Sequence, residues 1–262
     1  MMMPSLFIAH GSPTIVIEKN AYTEKLRSLA GQLPKPTAIV LFSAHWEANV
    51  QTVSGVEEYG TIYDFGGFPE EMYRITYPAK GDPALAEEIV GLFQQAGIPA
   101  RIDTVRGLDH GAWTILKLIY PAADIPVIAL SVNPALPNQE QYRIGKALAS
   151  LKERGILVIG SGGIVHNLWR VMMSMRAGAA DQADAWAVEF DDWIKERLEK
   201  WDLDALFHYE RLAPYAQEAV PANEHFIPLL IAMGAGDDAR KAERLYQSYQ
   251  YGSLSLSIWR FA

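Results

Sequence analysis

Six histidines and no cysteine set the chemistry that this 262-residue chain can carry. A neutral imidazole can ligate Zn²⁺ or Fe²⁺, exchange a proton near neutral pH, or simply fill a buried hydrogen-bonding position. Without thiolates, any bound metal must use His, Asp or Glu, and a disulfide scaffold, a Cys-held iron–sulfur cluster and a Cys nucleophile are excluded. His10 follows the apolar run Leu6–Ala9 and opens the turn His10-Gly11-Ser12-Pro13. His45 ends the run Ala38–Ala44 in Ser43-Ala44-His45-Trp46, and His166 follows Ile156–Gly160 after the loop Gly160-Ser161-Gly162-Gly163. His110 lies in Leu108-Asp109-His110-Gly111-Ala112-Trp113, and His225 opens an apolar helical segment after Pro221, Asn223 and Glu224. One histidine at a strand end is most often structural. Several at one sheet edge point to a metal, and three ligands with open positions mark a catalytic site. His208, in Leu206-Phe207-His208-Tyr209, has no such context and is expected on a helix surface or in packing.

Other motifs carry less. His45-Trp46-Glu47 has the H-x-E spacing of an iron-binding facial triad, but such sites sit on all-β barrels, so Glu47 reads as a solvated loop charge. The Gly160–Gly163 loop is neither a dinucleotide fingerprint nor a Walker motif, and Ser161 lacks the glycine spacing of a nucleophile elbow. Its glycines are expected to allow a sharp turn near a ligand. The stretch from Tyr63 to Tyr73 is aromatic and Gly-rich; it reads first as a packed surface loop and second as a pocket wall or lid.

The elements that must position these groups follow from periodicity. Leu6–Ala9, Ala38–Ala44, Val127–Val132 and Ile156–Gly160 lack polar alternation, as strands covered on both faces do. Helical spacing joins Tyr22, Leu26, Leu29 and Leu33; Leu85, Ile89, Leu92 and Phe93 after an Asp82 cap; and Ile144, Leu148 and Leu151 before Gly155. A long helix is expected from about Asp181 to Lys200 with Trp186, Phe190 and Trp193 inward. Another follows Asn223 with Phe226, Leu229, Leu230 and Met233 on one side, and Gly252–Phe261 alternates like a strand. The expectation is one α/β domain over residues 1–262, with a mostly parallel central sheet flanked by helices and the site at the strand carboxyl ends. The apolar share of 50% supports a large core, and the net charge of −8 argues against a nucleic-acid partner. No basic leader and no apolar run of roughly 18 residues is present, so a cytoplasmic chain without a membrane partner is expected.

Taken in order, His10-Gly11-Ser12-Pro13, Ser43-Ala44-His45-Trp46, the Asp64–Tyr73 loop, Gly107-Leu108-Asp109-His110-Gly111, Gly162–Asn167 and Glu224-His225-Phe226-Ile227-Pro228-Leu229 resemble one family. It is the DOPA-dioxygenase type of class III extradiol ring-cleavage dioxygenases, related to the catalytic subunit of protocatechuate 4,5-dioxygenase. The resemblance runs from residue 5 to the carboxyl terminus. It implies one non-haem divalent metal, Fe²⁺ for activity with Zn²⁺ compatible with the same site, held by His10, His45 and His225. The protocatechuate relatives use a glutamate as third ligand, which leaves Glu224 as the alternative to the preferred His225. His166 matches the acid–base histidine and a possible fourth ligand, and His110 a second histidine near substrate or oxygen.

The implied reaction is 4,5-type cleavage of a catechol, DOPA or a similar catecholic acid, by O₂ to a muconic semialdehyde. The protein would act as a monomer or small homo-oligomer. Such chemistry needs a base for the catechol proton and an acid later, which one histidine near neutrality can supply. Tyr73 and Trp113 are candidate walls of the ring pocket or else plain core residues, and Arg106 and Arg170 are the cations nearest the motifs in sequence. Two other readings stay open: a zinc hydrolase using His166 or Glu224 as base, and a non-catalytic binding member of the same superfamily.

Overall fold

The computed structural model describes residues 2–177 and 183–262. Eight strands form one sheet: β1 (Ser5–Ala9), β2 (Ala38–Glu47), β3 (Gln51–Ser54), β4 (Ala100–Asp103), β5 (Val127–Val132), β6 (Ile156–Gly162), β7 (Ala242–Gln250) and β8 (Leu254–Phe261). Their order is β4-β3-β5-β2-β6-β1-β8-β7. The central strands β5, β2, β6 and β1 are mutually parallel, whereas β3 joins β5 and β8 joins β1 antiparallel. The four apolar runs expected as covered strands are these central four, and all of β1, β5 and β6 is buried. β3, β4 and β7 gave no sequence signal. The first two have four residues each, and β7 is a half-buried, largely polar edge strand that keeps one side wet.

The helices are α1 (Ala21–Leu29), α2 (Pro83–Gln95), α3 (His110–Ile119), α4 (Asn138–Ala147), α5 (Leu168–Ala177), α6 (Ala185–Glu199), the short turns α7 (Leu203–Phe207), α8 (Tyr209–Leu212) and α9 (Ala216–Ala219), and α10 (Ile227–Ala235). Among the described residues no helix is long and apolar enough to cross a membrane. Strand pleating sends Leu6, Ile8, Ile39 and Leu41 to one face, where Tyr22 and Leu26 of α1 and Trp113 and Leu116 of α3 cover them. Val40, Phe42, Ile128 and Val158 face the other way, against α2, α4 and α10. Phe7, Trp259 and Phe261 continue that second core beneath α6 and α10.

Local chemistry explains the starts and stops. Asn20 and Thr23 form a reciprocal capping box on α1, and the Asp82 side chain caps α2 ahead of Pro83. Leu33 is not part of α1. The helix ends at Leu29, and Leu33 is extended because Pro34 disfavours helical geometry in the residue before it. The expected start of the long helix at Asp181 lies outside the described residues; α6 runs from Ala185, and its inward face is Ala187, Phe190, Ile194 and Leu198. Trp186 and Trp193 are only half-buried at its edges. α10 has no single apolar side, since all nine of its residues are buried between β6 and α4. β8 likewise shows no alternation, because both of its faces are covered.

Candidate active site

Five of the six histidines converge at the carboxyl edge of the central strands. β1 ends at Ala9 and delivers His10; β2 carries His45 in its last turn of pleat; β6 runs into the segment bearing His166. His110 is the first residue of α3, and His225 precedes α10. Two of the sequence motifs have a direct packing cause. Ser43 Oγ donates to Asp109 Oδ1 at 2.6 Å, and the Asp109 side chain caps α3 by accepting from Ala112 N. A Cβ on Gly111 would lie 2.8 Å from Ser43 Oγ and 2.9 Å from His45 Cδ2, so only glycine lets α3 sit against His45. In the Gly160–Gly163 loop Gly160 and Gly162 are needed for the same kind of close approach, and none of the loop's glycines has a positive φ. A Cβ on Gly162 would come within 2.1 Å of the His225 carbonyl oxygen, and Gly163 N donates to that carbonyl at 2.9 Å.

The three innermost imidazoles point Nε2 at one another. His45 Nε2 lies 3.0 Å from His10 Nε2 and 3.3 Å from His225 Nε2. Hydrogen bonds at Nδ1 fix the tautomers of two of them. Ser161 Oγ donates to the Gly111 carbonyl at 2.5 Å, so its lone pair accepts from His10 Nδ1–H at 3.1 Å. His225 Nδ1–H donates to Glu224 Oε1 at 2.9 Å, whereas His45 Nδ1 only approaches Asp64 Oδ2, at 3.4 Å, without a hydrogen bond. The Nε2 atoms of His10 and His225 are then lone pairs free to bind a cation, with His45 Nε2 between them as a third ligand nitrogen. Nitrogens ligating one ion at about 2.1 Å are spaced roughly 3.0–3.4 Å apart, the spacing seen here. The donor set therefore fits a divalent metal. Ligand atoms of His10, His45 and His110 all lie within 4.8 Å of one another, as do those of His166, Glu224 and His225, so the wider cluster offers six possible donors.

Burial is the main reason these imidazoles stay neutral. It pushes His10, His166 and His225 well below the ordinary 6.5, with neighbouring imidazoles adding to the shift. His45 falls to about 4, by burial first and then by His110. Asp64 behaves oppositely. Burial alone would raise it, but its hydrogen bond to His110 and the nearby imidazoles hold it at about 2. Asp64 Oδ1 accepts the backbone N–H of His110 at 2.9 Å and lies 2.9 Å from His110 Nδ1, though the latter approach is poorly aligned.

A cavity of about 350 Å³ opens over the cluster, within the usual range for small-molecule sites. His10, His45, His110 and His166 line it, and His225 lies beneath with its ring stacked on His166 at 3.5 Å and 7°. The Asp64–Tyr73 segment forms one wall through Phe65 and Phe68, so it is a pocket wall. Of the two readings of Tyr73 and Trp113, pocket wall or core, the structure shows the second. Both pack behind Phe65, and Trp113 is fully buried with its indole N–H on the Ile62 carbonyl. Arg106 and Arg170 also lie off the cavity wall. Arg106 donates to the His45 carbonyl at 2.9 Å and stacks over Trp46, and Arg170 pairs with Glu218. His208 is remote and exposed, bonded to the Asp204 carbonyl, and Glu47 is an exposed charge at the end of β2.

Sequence reasoning gave Asp64, Ser161 and the α5 stripe Leu168, Val171 and Met175 no role at the site. The stripe has the 3-and-4 spacing of a helix face and was legible. Asp64 was readable only as the acid that opens an aromatic loop.

A histidine-lined cavity at the carboxyl edge of an α/β sheet could hold a metal, and sequence comparison identifies the family. The profile of the LigB family, described as the catalytic LigB subunit of aromatic ring-opening dioxygenase, matches residues 4–261, and the chain belongs to that family. It is thus an oxidoreductase of the extradiol ring-opening type, a family that uses a non-haem metal. The chain is 40% identical to the 4,5-DOPA dioxygenase extradiol of Beta vulgaris, over 98% of this chain and 96% of that one. It is 38% identical to the Escherichia coli K12 protein of the same name, over 97% and 93%. The crystal structure of an uncharacterized protein from Escherichia coli K12 superposes with a TM-score of 0.84 at 34% identity, covering 99% of this chain and 100% of that one.

Proposed function

We propose that this chain cleaves the ring of a catechol with O₂, by the 4,5 type of extradiol cleavage, using one divalent metal held by His10, His45 and His225. The observation that carries the proposal is the convergence of three imidazole Nε2 atoms, two of them spaced 3.0 and 3.3 Å from the middle one, at the floor of a cavity. Glu224 serves better behind His225 than in its place, since its carboxylate already takes the His225 Nδ1 proton. The metal, when bound, supplies a Lewis acid that lowers the pKa of a catechol hydroxyl and a redox centre through which O₂ is activated. Fe²⁺ is the active form. Zn²⁺ occupies the same ligands by the general affinity order of divalent metals and does not support ring opening.

The protein's own groups do the rest. His166, neutral because it is buried, stands on the cavity wall with its ring flat against His225, where it takes a catechol proton and later returns one. His110 is fixed by Asp64 through its backbone N–H and stands within 4.0 Å of the His45 ring, where it contacts substrate or oxygen. Phe65 and Phe68 shield the site from water and flank the aromatic ring. The relatives' names make DOPA the first catechol to test. Protein reconstituted with Fe²⁺ under argon and then given DOPA and air should consume O₂ and form a yellow semialdehyde. A zinc form with the same turnover would overturn the iron assignment, and ester or amide hydrolysis without O₂ demand would favour the zinc-hydrolase alternative.

A further inference from the structure

We infer that the cavity selects catechols by an uncharged apolar ring substituent and not by a carboxylate, so alkylcatechols are preferred over catecholic acids of equal length. The inference rests on the ring-cleavage reading above and concerns the other end of the substrate. Away from the imidazoles the cavity is walled by Phe65, Phe68, Leu168, Val171, Met175 and Leu254. Among the described residues lining it, none is Lys or Arg. Its remaining polar groups are the hydroxyls of Ser12 and Tyr251 and the carboxylate of Asp64, which repels a second carboxylate. Of the nearby guanidinium groups, Arg106 is engaged on the His45 carbonyl and Asp109, and Arg170 on Glu218, while Arg176, exposed in the last turn of α5, is not among the residues lining the cavity.

The mouth repeats the pattern in a positive way. Leu168, Val171, Met172 and Met175 follow one another along α5 at intervals of three, one and three, on one face. Leu168, Met172 and Met175 are 58%, 50% and 57% exposed. Large apolar side chains held open to water beside a cavity are the mark of a surface that an apolar ligand covers. Methionine suits the task, because its flexible thioether fits substituents of differing shape. A carboxylate laid along this apolar wall loses water and finds no cation in return. The charged end of DOPA is therefore accommodated only by reaching past the mouth into solvent, which makes it an accepted substrate and not a preferred one.

The test uses the Fe²⁺-loaded full chain with 4-methylcatechol, 4-propylcatechol, 3-(3,4-dihydroxyphenyl)propanoate and DOPA, reading initial O₂ uptake. We expect kcat/KM to rise roughly fourfold per added methylene. Replacing the terminal methyl of the propyl chain by carboxylate should lower it at least about tenfold. Met175→Arg, at an exposed position where folding is not at risk, should narrow that propyl-to-acid ratio by about tenfold. An acid that equals or beats 4-propylcatechol, or a ratio that Met175→Arg leaves in place, overturns the inference. If no catechol is cleaved at all, the ring-cleavage reading has failed instead. Anaerobic equilibrium binding of the propyl and acid compounds then still decides the substituent preference.

Discussion

Asp64→Asn isolates the residue that ties two of the histidines together. The carboxylate accepts the His110 backbone N–H at 2.9 Å through Oδ1 and faces His45 Nδ1 at 3.4 Å through Oδ2. Asparagine keeps the volume but has one acceptor and one donor end. If its oxygen stays on His110, its NH₂ meets His45 Nδ1 and drives that ring to the tautomer with the proton on Nε2, the atom that faces His10 and His225. If the amide flips, the mismatch falls on His110. Leaving one buried polar group without its proper partner costs about 1–3 kcal/mol, or roughly 5- to 150-fold. Loss of a carboxylate behind a metal-ligating histidine falls in the same range, at about 10–100-fold in affinity. The expected result is therefore a ten- to hundredfold weaker metal affinity, measured by competing wild type and variant against a chelating dye for Zn²⁺. The thermal midpoint of the metal-free protein should fall by the few degrees per kcal/mol that such a mismatch costs in a chain of this size. Metal affinity within about threefold of wild type would refute the reasoning that Asp64 sets the His45 tautomer.

His166→Ala should keep its metal by elemental analysis and lose ring opening by at least about a hundredfold, the usual contribution of a general acid–base group; loss of the metal would make His166 a ligand. His10→Ala and His45→Ala should each lose stoichiometric metal while His208→Ala changes neither metal content nor turnover, and metal retained in either of the first two contradicts the ligand set. Gly162→Ala would place a Cβ 2.1 Å from the His225 carbonyl oxygen, so it should lower stability by about 1–3 kcal/mol and weaken metal binding together; an unchanged denaturation midpoint would show that β6 and α10 can part freely. The metal-free protein should lose stability as pH falls. Its buried imidazoles stay neutral when folded, to about 4 for His45, while the unfolded chain protonates from about 6.5, so the folded state is disfavoured by up to about 1.4 kcal/mol per pH unit per imidazole in that window. A flat urea midpoint between pH 6.5 and 4.5 would contradict this.

The central strands, the caps at Asn20 and Asp82, and the histidine placement were legible because each is a local pattern. Buried parallel strands read as unbroken apolar runs, and a strand end names the residue that follows it. The edge strands β3, β4 and β7 were not legible, since short or half-exposed strands carry no distinctive period. Trp186 and Trp193 misled for a related reason. Their spacing matches a helix face, but α6 is rotated so that Ala187 and Ile194 point inward, and only its neighbours set that rotation. Trp113 could be read as pocket wall or as core from its type alone, and only the fold places it in the core as support behind Phe65.

The residue types in the sequence, with no cysteine and five histidines next to strand or helix ends, determined that any metal site here excludes thiolate and has imidazoles to draw on at one edge of the sheet. Family resemblance named which of them act. Only the tertiary structure decided which nitrogens face inward. For His10 and His225 that choice depends on protons held at the far side of the ring by Ser161 and Glu224, and Ser161 comes from a segment distant in sequence from the histidine it orients. Only the fold, likewise, set the apolar face of α5 against the cavity and left it without a cation, because which side of a helix meets a pocket is fixed by what packs on its other side.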